Sequence, residues 1–249
     1  MPPLKDSFII LKTAPLRETS LILYAYTEKH GLLHTVCRGI KRDKKQYSIE
    51  RGAVCEGLLY IKDNRDLHTA ASLDITSYFP FIRKSIVKTA LRDTAFELAI
   101  SSLEQAHPNQ QLYTLFIKFL ENLNTDKDPE NSTALLWLFS YRFLEINGQS
   151  FPLDRCIRCG RKFSTDSRVN LSTEQGGLVC CACSKPGYAP LKPAVLSFLS
   201  SGKPSIEDLD RFMEKRDFLS TLSAILDLCR FQMDIRRELK SMEFLKTVF

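Results

Sequence analysis

Four cysteines in the second half of the chain have the spacing of a metal site. Cys156 and Cys159 form one C-x-x-C pair, and twenty residues later Cys180 and Cys183 form another. Such a turn lets two thiolates face one ion while backbone amides point at the sulfurs, and Gly160 supplies the backbone freedom needed just after the first pair. We expect these four cysteines to bind one structural Zn²⁺.

Other interpretations of the cysteines remain open at this stage. Cys181 is an alternative ligand to Cys180, although a C-x-C pair is too tight for one knuckle. A redox dithiol is a second alternative, but no βαβ pattern surrounds the motif. A catalytic zinc would need an open fourth position, usually with His or Glu among its ligands. The histidines lie far away in sequence, so we expect a closed site; they are His30, His34, His68 and His107.

A basic segment near residue 40 has the composition of a nucleic-acid contact. The stretch 38–51 carries six cations against Asp43 and Glu50. Cations attract the phosphate backbone of a single strand, and an aromatic ring stacks on any base. A solvated charge run is the alternative. The residues expected to contact DNA are Arg38, Lys41, Arg42, Lys44, Lys45, Tyr47 and Arg51.

Two further groups of residues are candidates for the same role. Tyr24 and Tyr26 share one face of a predicted strand, where they are either a stacking platform or part of the core. Lys84, Lys88 and Arg92 are spaced four apart, which favours an ordinary solvent-facing stripe on a helix.

The elements that must position these residues change character after Pro80. Residues 1–79 alternate short apolar strands with turn signals, and five strands in so short a stretch favour a closed barrel, because closure removes unprotected edges. Residues 80–249 have helical periodicity, interrupted at about 150–188 by the cysteine segment. There, 168–171 and 178–179 predict a hairpin, as in a zinc ribbon. The expected class is α+β: a five-stranded barrel, then an all-helical domain with an inserted four-cysteine zinc ribbon.

Composition excludes several classes of protein. The net charge of +6 is a mild basic bias that suits a polyanionic partner. The first residues lack the apolar run of a secretory signal, and no segment is long and apolar enough to cross a membrane, so we expect a cytoplasmic protein. The sequence contains no G-x-x-x-x-G-K-[ST], G-x-S-x-G or H-E-x-x-H motif, so we expect no enzyme.

Several motifs in this order resemble the bacterial RecO recombination mediators, and the resemblance runs along essentially the whole chain. The matching segments are Pro15-Leu16-Arg17-Glu18-Thr19-Ser20, His30-Gly31-Leu32, Arg38-Gly39 with its basic loop, Phe139-Ser-Tyr-Arg142-Phe143-Leu144 through Gly148, Leu153-Asp154-Arg155-Cys156-Ile157-Arg158-Cys159-Gly160, and Leu239-Lys240-Ser241-Met242-Glu243-Phe244-Leu245.

Membership would imply that residues 1–79 are an OB-fold and that the protein is not catalytic. RecO-like proteins bind single- and double-stranded DNA and anneal strands in the RecF pathway. They engage the C-terminal tail of the single-stranded DNA-binding protein SSB and work with RecR to load RecA, in some cases with RecF. The resemblance thus implies a cytoplasmic bacterial protein that joins the nucleoid when active.

The resemblance also points to a binding position for the SSB tail. Arg142 matches an arginine of the family motif, and Phe139 and Phe143 flank it one helical turn apart. An acidic tail that ends in an aromatic residue requires an apolar pocket with a cationic rim. The alternative is an internal ion pair with Glu145. This chain departs from the family pattern at that helix end, with Asn147 and Gln149 where many relatives have leucine and tyrosine.

Two functional hypotheses from different classes follow. The first is a DNA-repair mediator, and the second is a zinc-containing protein-interaction adaptor that does not bind DNA. A zinc-dependent nuclease is remote, because the cysteine site has no His and no paired carboxylates. Oligonucleotide binding that falls steeply with salt would separate the mediator from the adaptor.

Overall fold

The computed structural model describes residues 2–40, 49–62, 65–126, 132–164, 167–200 and 216–248. These residues form two compact units. The first unit is Met1–Lys84 with Arg92–Asn124, and the second is Ser85–Leu91 with Thr125–Phe249. A division between an OB-fold at 1–79 and a helical domain at 80–249 stays a prediction, since the first unit also contains helical residues.

The first unit begins with a closed five-stranded barrel. Its strands follow the order β1-β2-β3-β5-β4, and β3 pairs with β5 in parallel while all other pairs are antiparallel. This is the five-stranded OB topology, and the predicted barrel is confirmed. The strands are β1 (Leu4–Leu16), β2 (Ser20–Thr27), β3 (Gly31–Cys37), β4 (Val54–Tyr60) and β5 (Leu67–Ser77).

Alternating apolar side chains fill the barrel. Phe8, Leu23, Leu33 and Cys55 are fully buried inside it, because successive strand residues point to opposite faces. The β2–β3 turn needs Gly31, whose φ of 71° is left-handed and at which a Cβ would lie 2.3 Å from the His107 carbonyl oxygen.

Three helices follow the barrel, and one of them covers part of its outer surface. The helices are α1 (Pro80–Arg83), α2 (Ile86–Ser102) and α3 (Gln110–Thr125). Phe116 of α3 packs against the ring of Tyr26 at a centroid distance of 5.3 Å. The Tyr26 hydroxyl donates to the Asn109 carbonyl oxygen, and burial raises the pKa of Tyr26 to about 12. Tyr26 is therefore part of the core and is not available as a stacking platform.

The expected solvent-facing stripe of Lys84, Lys88 and Arg92 is wrong. The helix breaks between Arg83 and Ile86, which removes the continuous four-residue spacing. Lys88 is buried and donates to the Asp126 carbonyl oxygen, while Arg92 bonds Asp93; of the three, Lys84 is the exposed one.

The second unit contains a mostly buried helix. Trp137 of α4 (Ser132–Ile146) is fully buried and donates from Nε1 to Thr221 Oγ1 of α6 (Arg216–Gln232) at 3.1 Å. Cys229 of α6 donates to the Ser140 carbonyl oxygen, and complete burial raises its pKa, as expected for an inert core thiol. The helices are α4 (Ser132–Ile146), α5 (Pro193–Ser200), α6 (Arg216–Gln232) and α7 (Lys240–Val248).

No helix in the described ranges combines the length and the apolar character needed to cross a bilayer.

Candidate metal centre and nucleic-acid interface

The cysteine segment folds as a small three-stranded sheet in the order β7-β6-β8. The strands are β6 (Val169–Ser172), β7 (Gly177–Cys180) and β8 (Ala189–Leu191). The antiparallel β6–β7 pair confirms the predicted hairpin. Sequence analysis missed β8, because three residues that include Pro190 have no strand signature, and proline is tolerated there since β8 is an edge strand.

The first pair of cysteines lies in a tight turn. Cys156 N donates to the Arg161 carbonyl oxygen at 2.8 Å, and Gly160 N donates to the Cys156 carbonyl oxygen at 2.9 Å. Gly160 has a φ of 72°, which a side chain would disfavour. The turn brings Cys159 back toward Cys156, as the spacing predicted.

The second pair comes from the end of β7 and the short 3-10 turn that follows it, Cys181–Cys183. The four sulfurs of Cys156, Cys159, Cys180 and Cys183 lie within 4.8 Å of one another. Cys159 and Cys180 sulfurs are 3.8 Å apart. A tetrahedral zinc with Zn–S bonds of about 2.3 Å places its sulfurs about 3.8 Å apart. The geometry therefore fits one tetrahedral ion.

Cys181 stands apart from this cluster. Its sulfur is not one of the four that lie within 4.8 Å of one another, and its side chain is exposed, as is that of Cys159. Apolar side chains pack around the buried Cys156 and Cys180, namely Ile157, Phe163, Val179 and Tyr188. All four clustered donors are protein thiols, so a tetrahedral ion would have no open position. Such a closed set is typical of a structural metal site.

The electrostatics of the cluster favour a cation. Burial by itself raises the pKa of Cys156, but hydrogen bonds from the amides of Cys180, Cys159 and Arg158 outweigh it and lower this pKa to about 6. The pKa of Cys183 is raised to about 12 by desolvation and by hydrogen bonding with the other three thiols, and the charge of Cys156 also opposes its ionisation. A bound divalent ion removes this conflict, because it stabilises several thiolates at once.

Most of the predicted DNA-binding residues lie outside the described residues: Lys41, Arg42, Lys44, Lys45 and Tyr47. The two at the ends of the loop are described. Arg38 is exposed just beyond β3. Arg51 donates to Asp93 Oδ2 at 2.7 Å, with 43% of its side chain exposed, so part of its charge is neutralised within the protein.

The structure brings together a row of side chains that sequence analysis did not assemble. Lys12 of β1, Tyr24 of β2 and His34 of β3 are direct cross-strand neighbours. The Lys12 ammonium lies 5.1 Å from the centre of the Tyr24 ring, and the Tyr24 and His34 ring centroids are 4.4 Å apart. We call Lys12, Tyr24 and His34 the β1–β3 row.

A bulge in β1 explains why the row was missed. The register shifts between Ile10 and Lys12, so that Ile10 opposes Ala25 while Lys12 opposes Tyr24. If side chains alternated strictly along β1, Lys12 would point into the barrel as Ile10 does. A bulge reverses that alternation, and nothing in the residue types of β1 announces it.

The β1–β3 row is open to solvent and carries charge at one end. Lys12 is exposed, and Tyr24 and His34 are partly exposed. Burial lowers the pKa of His34, and this effect outweighs the charge of Asp66, which raises the pKa. Gln105 Nε2 donates to His34 Nδ1 at 3.0 Å, an interaction that suits a neutral imidazole. The row therefore combines two aromatic rings with one cation, which are the groups that contact bases and phosphates.

The predicted position for the SSB tail does not expose the apolar pocket that was expected there. Phe139 and Phe143 stack on each other at 5.9 Å and are buried in the second unit. Arg142 donates to Glu145 Oε2 at 2.6 Å, the internal ion pair weighed above, and its side chain is 33% exposed. A partner would meet Arg142 rather than the two rings, and this contact stays a prediction.

An OB barrel followed by helices and a ribbon with four clustered thiols defines the class of the protein, a modular protein that combines an OB-fold with a candidate metal site. Comparison with protein families identifies the family within this class. Residues 1–79 match the family described as Recombination protein O N terminal, and residues 83–243 match Recombination protein O C terminal. The chain belongs to the RecO family, and the resemblance found in the sequence is confirmed.

Individual relatives agree with the family match, and each is named DNA repair protein RecO. The protein from Syntrophus aciditrophicus (strain SB) is 26% identical over 98% of this chain and 95% of its own length. The one from Desulfatibacillum aliphaticivorans is 26% identical over 99% and 97%. The one from Frankia casuarinae is 28% identical over 80% and 81%.

Proposed function

We propose that this RecO-family chain is a mediator of DNA repair and homologous recombination in the RecF pathway. It binds single- and double-stranded DNA, anneals complementary strands and, with RecR, helps to load RecA onto SSB-coated DNA. The proposal that the protein binds DNA rests on the β1–β3 row, which lies on the solvent-exposed side of an OB barrel. The relatives named as DNA repair proteins support the biological role.

The β1–β3 row suits a single strand better than a folded protein surface. Tyr24 and His34 offer ring faces to unpaired bases, and stacking of this kind tolerates any sequence. Lys12 and the cations of the loop 38–51 attract phosphates without reading bases. OB-folds bind oligonucleotides with the face of strands two and three and the adjacent loops, where this row lies.

We propose that Cys156, Cys159, Cys180 and Cys183 hold one structural Zn²⁺. Its role is to order the ribbon, since a ribbon this small and its metal site form in one equilibrium. Four thiolates in tetrahedral geometry also suit iron. Elemental analysis and visible absorption of freshly purified protein separate the two metals. We expect about one equivalent of zinc per chain and no visible absorption, whereas iron bound by thiolates would be coloured.

We propose that the protein acts without catalysis. The exchange of SSB for RecA would then be driven by competing binding equilibria, in line with a sequence that has no phosphate-binding loop. RecF is a further partner in this proposal. The site of action is the bacterial cytoplasm, with association to the nucleoid while DNA is bound.

The SSB tail is proposed to bind the second unit at Arg142. A cavity of about 420 Å³ in the same unit offers an alternative position, because it combines an apolar wall with an arginine. Its lining residues are Thr173, Asp227, Arg230, Phe231, Asp234 and Ile235. Two of these are acids, which would repel an acidic tail, and we therefore keep Arg142 as the preferred position.

A salt titration tests the proposed function. Fluorescence anisotropy with a labelled single-stranded oligonucleotide should show binding at low salt that weakens steeply and linearly on a double logarithmic plot. Absence of binding at low salt would contradict the mediator and leave the protein-interaction adaptor. The same titration with a labelled SSB tail peptide tests the partner contact independently.

A further inference from the structure

We propose a second contact surface for single-stranded nucleic acid on the segment that follows β5, formed by Tyr78, Phe81 and Lys84. We call it the α1 surface. The proposal rests on the proposed function and adds a site outside the barrel strands and outside the basic loop. Phe81 supplies a stacking ring for a base, and Lys84 supplies a cation for the adjoining phosphate.

Phe81 is held rigidly in an exposed position. Its neighbour Ile82 is 1% exposed and fixes the short helix to the core, whereas Phe81 itself is 57% exposed. Phe81 N donates to Asn124 Oδ1 at 3.0 Å, and Ile82 N donates to the Phe79 carbonyl oxygen at 3.1 Å. A ring presented by a fixed backbone loses little conformational entropy when a ligand binds.

The chemistry of the α1 surface suits a nucleic acid. The Lys84 ammonium lies 5.4 Å from the centre of the Phe81 ring, and Tyr78 is 49% exposed beside them in sequence. The segment 78–84 contains no acid of its own and two cations, of which Arg83 pairs with Glu50 and Lys84 remains beside the ring. Single exposed apolar residues are ordinary, but two exposed aromatic rings with an adjacent cation match the combination by which proteins bind unpaired bases and phosphates.

The position of the α1 surface connects it with the basic loop. Arg83 lies 3.4 Å from Glu50, so the described end of the basic stretch 38–51 lies beside α1, and the next residue, Arg51, bonds Asp93 of α2. The charge of Lys84 therefore adds to a region that is already basic in sequence.

The β1–β3 row and the α1 surface lie near opposite ends of β5. His34 is paired with Leu67 at the start of β5, and Tyr78 directly follows its last residue, Ser77. β5 has 11 residues, which corresponds to roughly 35 Å along the strand. The rise of about 3.4 Å per nucleotide in double-stranded DNA is a minimum for a strand whose bases stack on protein rings, so roughly ten nucleotides suffice to reach both surfaces.

Tryptophan fluorescence tests the proposal directly. The chain has a single tryptophan, Trp137, which is fully buried and gives a constant background. In a Phe81→Trp variant of the full chain, we expect the fluorescence of the new indole to be quenched when an oligo(dT) of about 16 nucleotides binds, because a base stacks on the indole. Phe244→Trp is the matched control, since Phe244 is 45% exposed in the second unit; its emission should not change.

Affinity provides the second readout. Phe81→Ala should weaken oligonucleotide binding roughly 5- to 20-fold, the effect of losing about one stacked base, and Phe81→Tyr should bind like the wild type. Equal thermal stability of the three proteins excludes a folding defect.

The possible failures are distinguishable. In the first failure, Tyr24→Ala weakens oligonucleotide binding, whereas Phe81→Ala binds like the wild type and Phe81→Trp is not quenched. The α1 surface would then be wrong, and the proposed function would stand. If Phe81→Ala loses affinity for RecR alone, the surface is a protein contact and the proposal is also wrong. If the wild type binds no oligonucleotide, both proposals fall together.

Discussion

The ribbon and the barrel assemble their candidate sites by opposite means. In the ribbon, each pair of sulfurs is set by a turn of four residues, and one hairpin brings the two turns together. In the barrel, Lys12, Tyr24 and His34 come from three strands and meet only through strand register. A site built by local spacing is visible in the sequence, whereas a site built by register is visible only after the strands have been paired.

The two kinds of site should also fail differently. If the ribbon binds the proposed ion, the loss of one ligand would release it, and with it the free energy that orders the segment. A barrel that loses one surface ring keeps its core and loses one contact with a ligand. Variants of the two regions should therefore separate stability from affinity.

The largest expected effect is on the ribbon. Structural zinc contributes about 10–16 kcal/mol in small zinc-binding peptides at neutral pH, so Cys156→Ser or Cys183→Ser should lose the metal and unfold the ribbon. Elemental analysis and thermal unfolding measure both changes. Cys181→Ser is the matched control and should keep its zinc. Losses in Cys181→Ser equal to those in Cys180→Ser would overturn the choice of ligand.

The next effect is on the basic loop. Replacing Lys41, Arg42, Lys44 and Lys45 together with Ala should weaken oligonucleotide binding for every sequence, because phosphate contacts carry no base information. The slope of log affinity against log salt should flatten by up to about 3 for a single strand. Thermal stability should hardly change. An unaltered slope would mean that the strand follows another path, with Lys84 the first residue to examine.

A single-residue effect is expected in the β1–β3 row. Tyr24→Ala should weaken oligonucleotide binding by about 1–3 kcal/mol, the range for a stacked base. Tyr60→Ala is the matched control, since Tyr60 is a 37% exposed tyrosine on β4 of the same barrel. Equal losses in the two variants would show that the row has no special role and that a tyrosine anywhere on the barrel contributes similarly.

The smallest set of effects concerns the partner contact. Arg142→Ala should lower affinity for the SSB tail peptide by about 1–3 kcal/mol, the range for a hydrogen bond to a charged group, and leave oligonucleotide binding intact. The lost ion pair with Glu145 is partly exposed, so stability should fall by less than about 1 kcal/mol. Arg230→Ala tests the alternative cavity. A tail affinity that falls only in Arg230→Ala would move the contact there.

The sequence predicted the barrel, the hairpin of the ribbon and the clustering of four cysteines, because each depends on local alternation or spacing. It did not predict the outward position of Lys12, which depends on the bulge in β1. It also treated Lys84, Lys88 and Arg92 as one stripe, because the break before Ile86 has no proline or glycine to mark it. The burial of Tyr26 depends on the helix α3, which is distant in sequence, as the contact of its ring with Phe116 shows.

Photo-crosslinking tests the central claim, that a single strand binds the open side of the barrel, most directly. A halogenated oligonucleotide is bound at low salt and irradiated, and the linked peptides are identified by mass spectrometry. We predict crosslinks to peptides that contain Tyr24 or His34. Crosslinks confined to the second unit, between residues 132 and 248, would contradict the account.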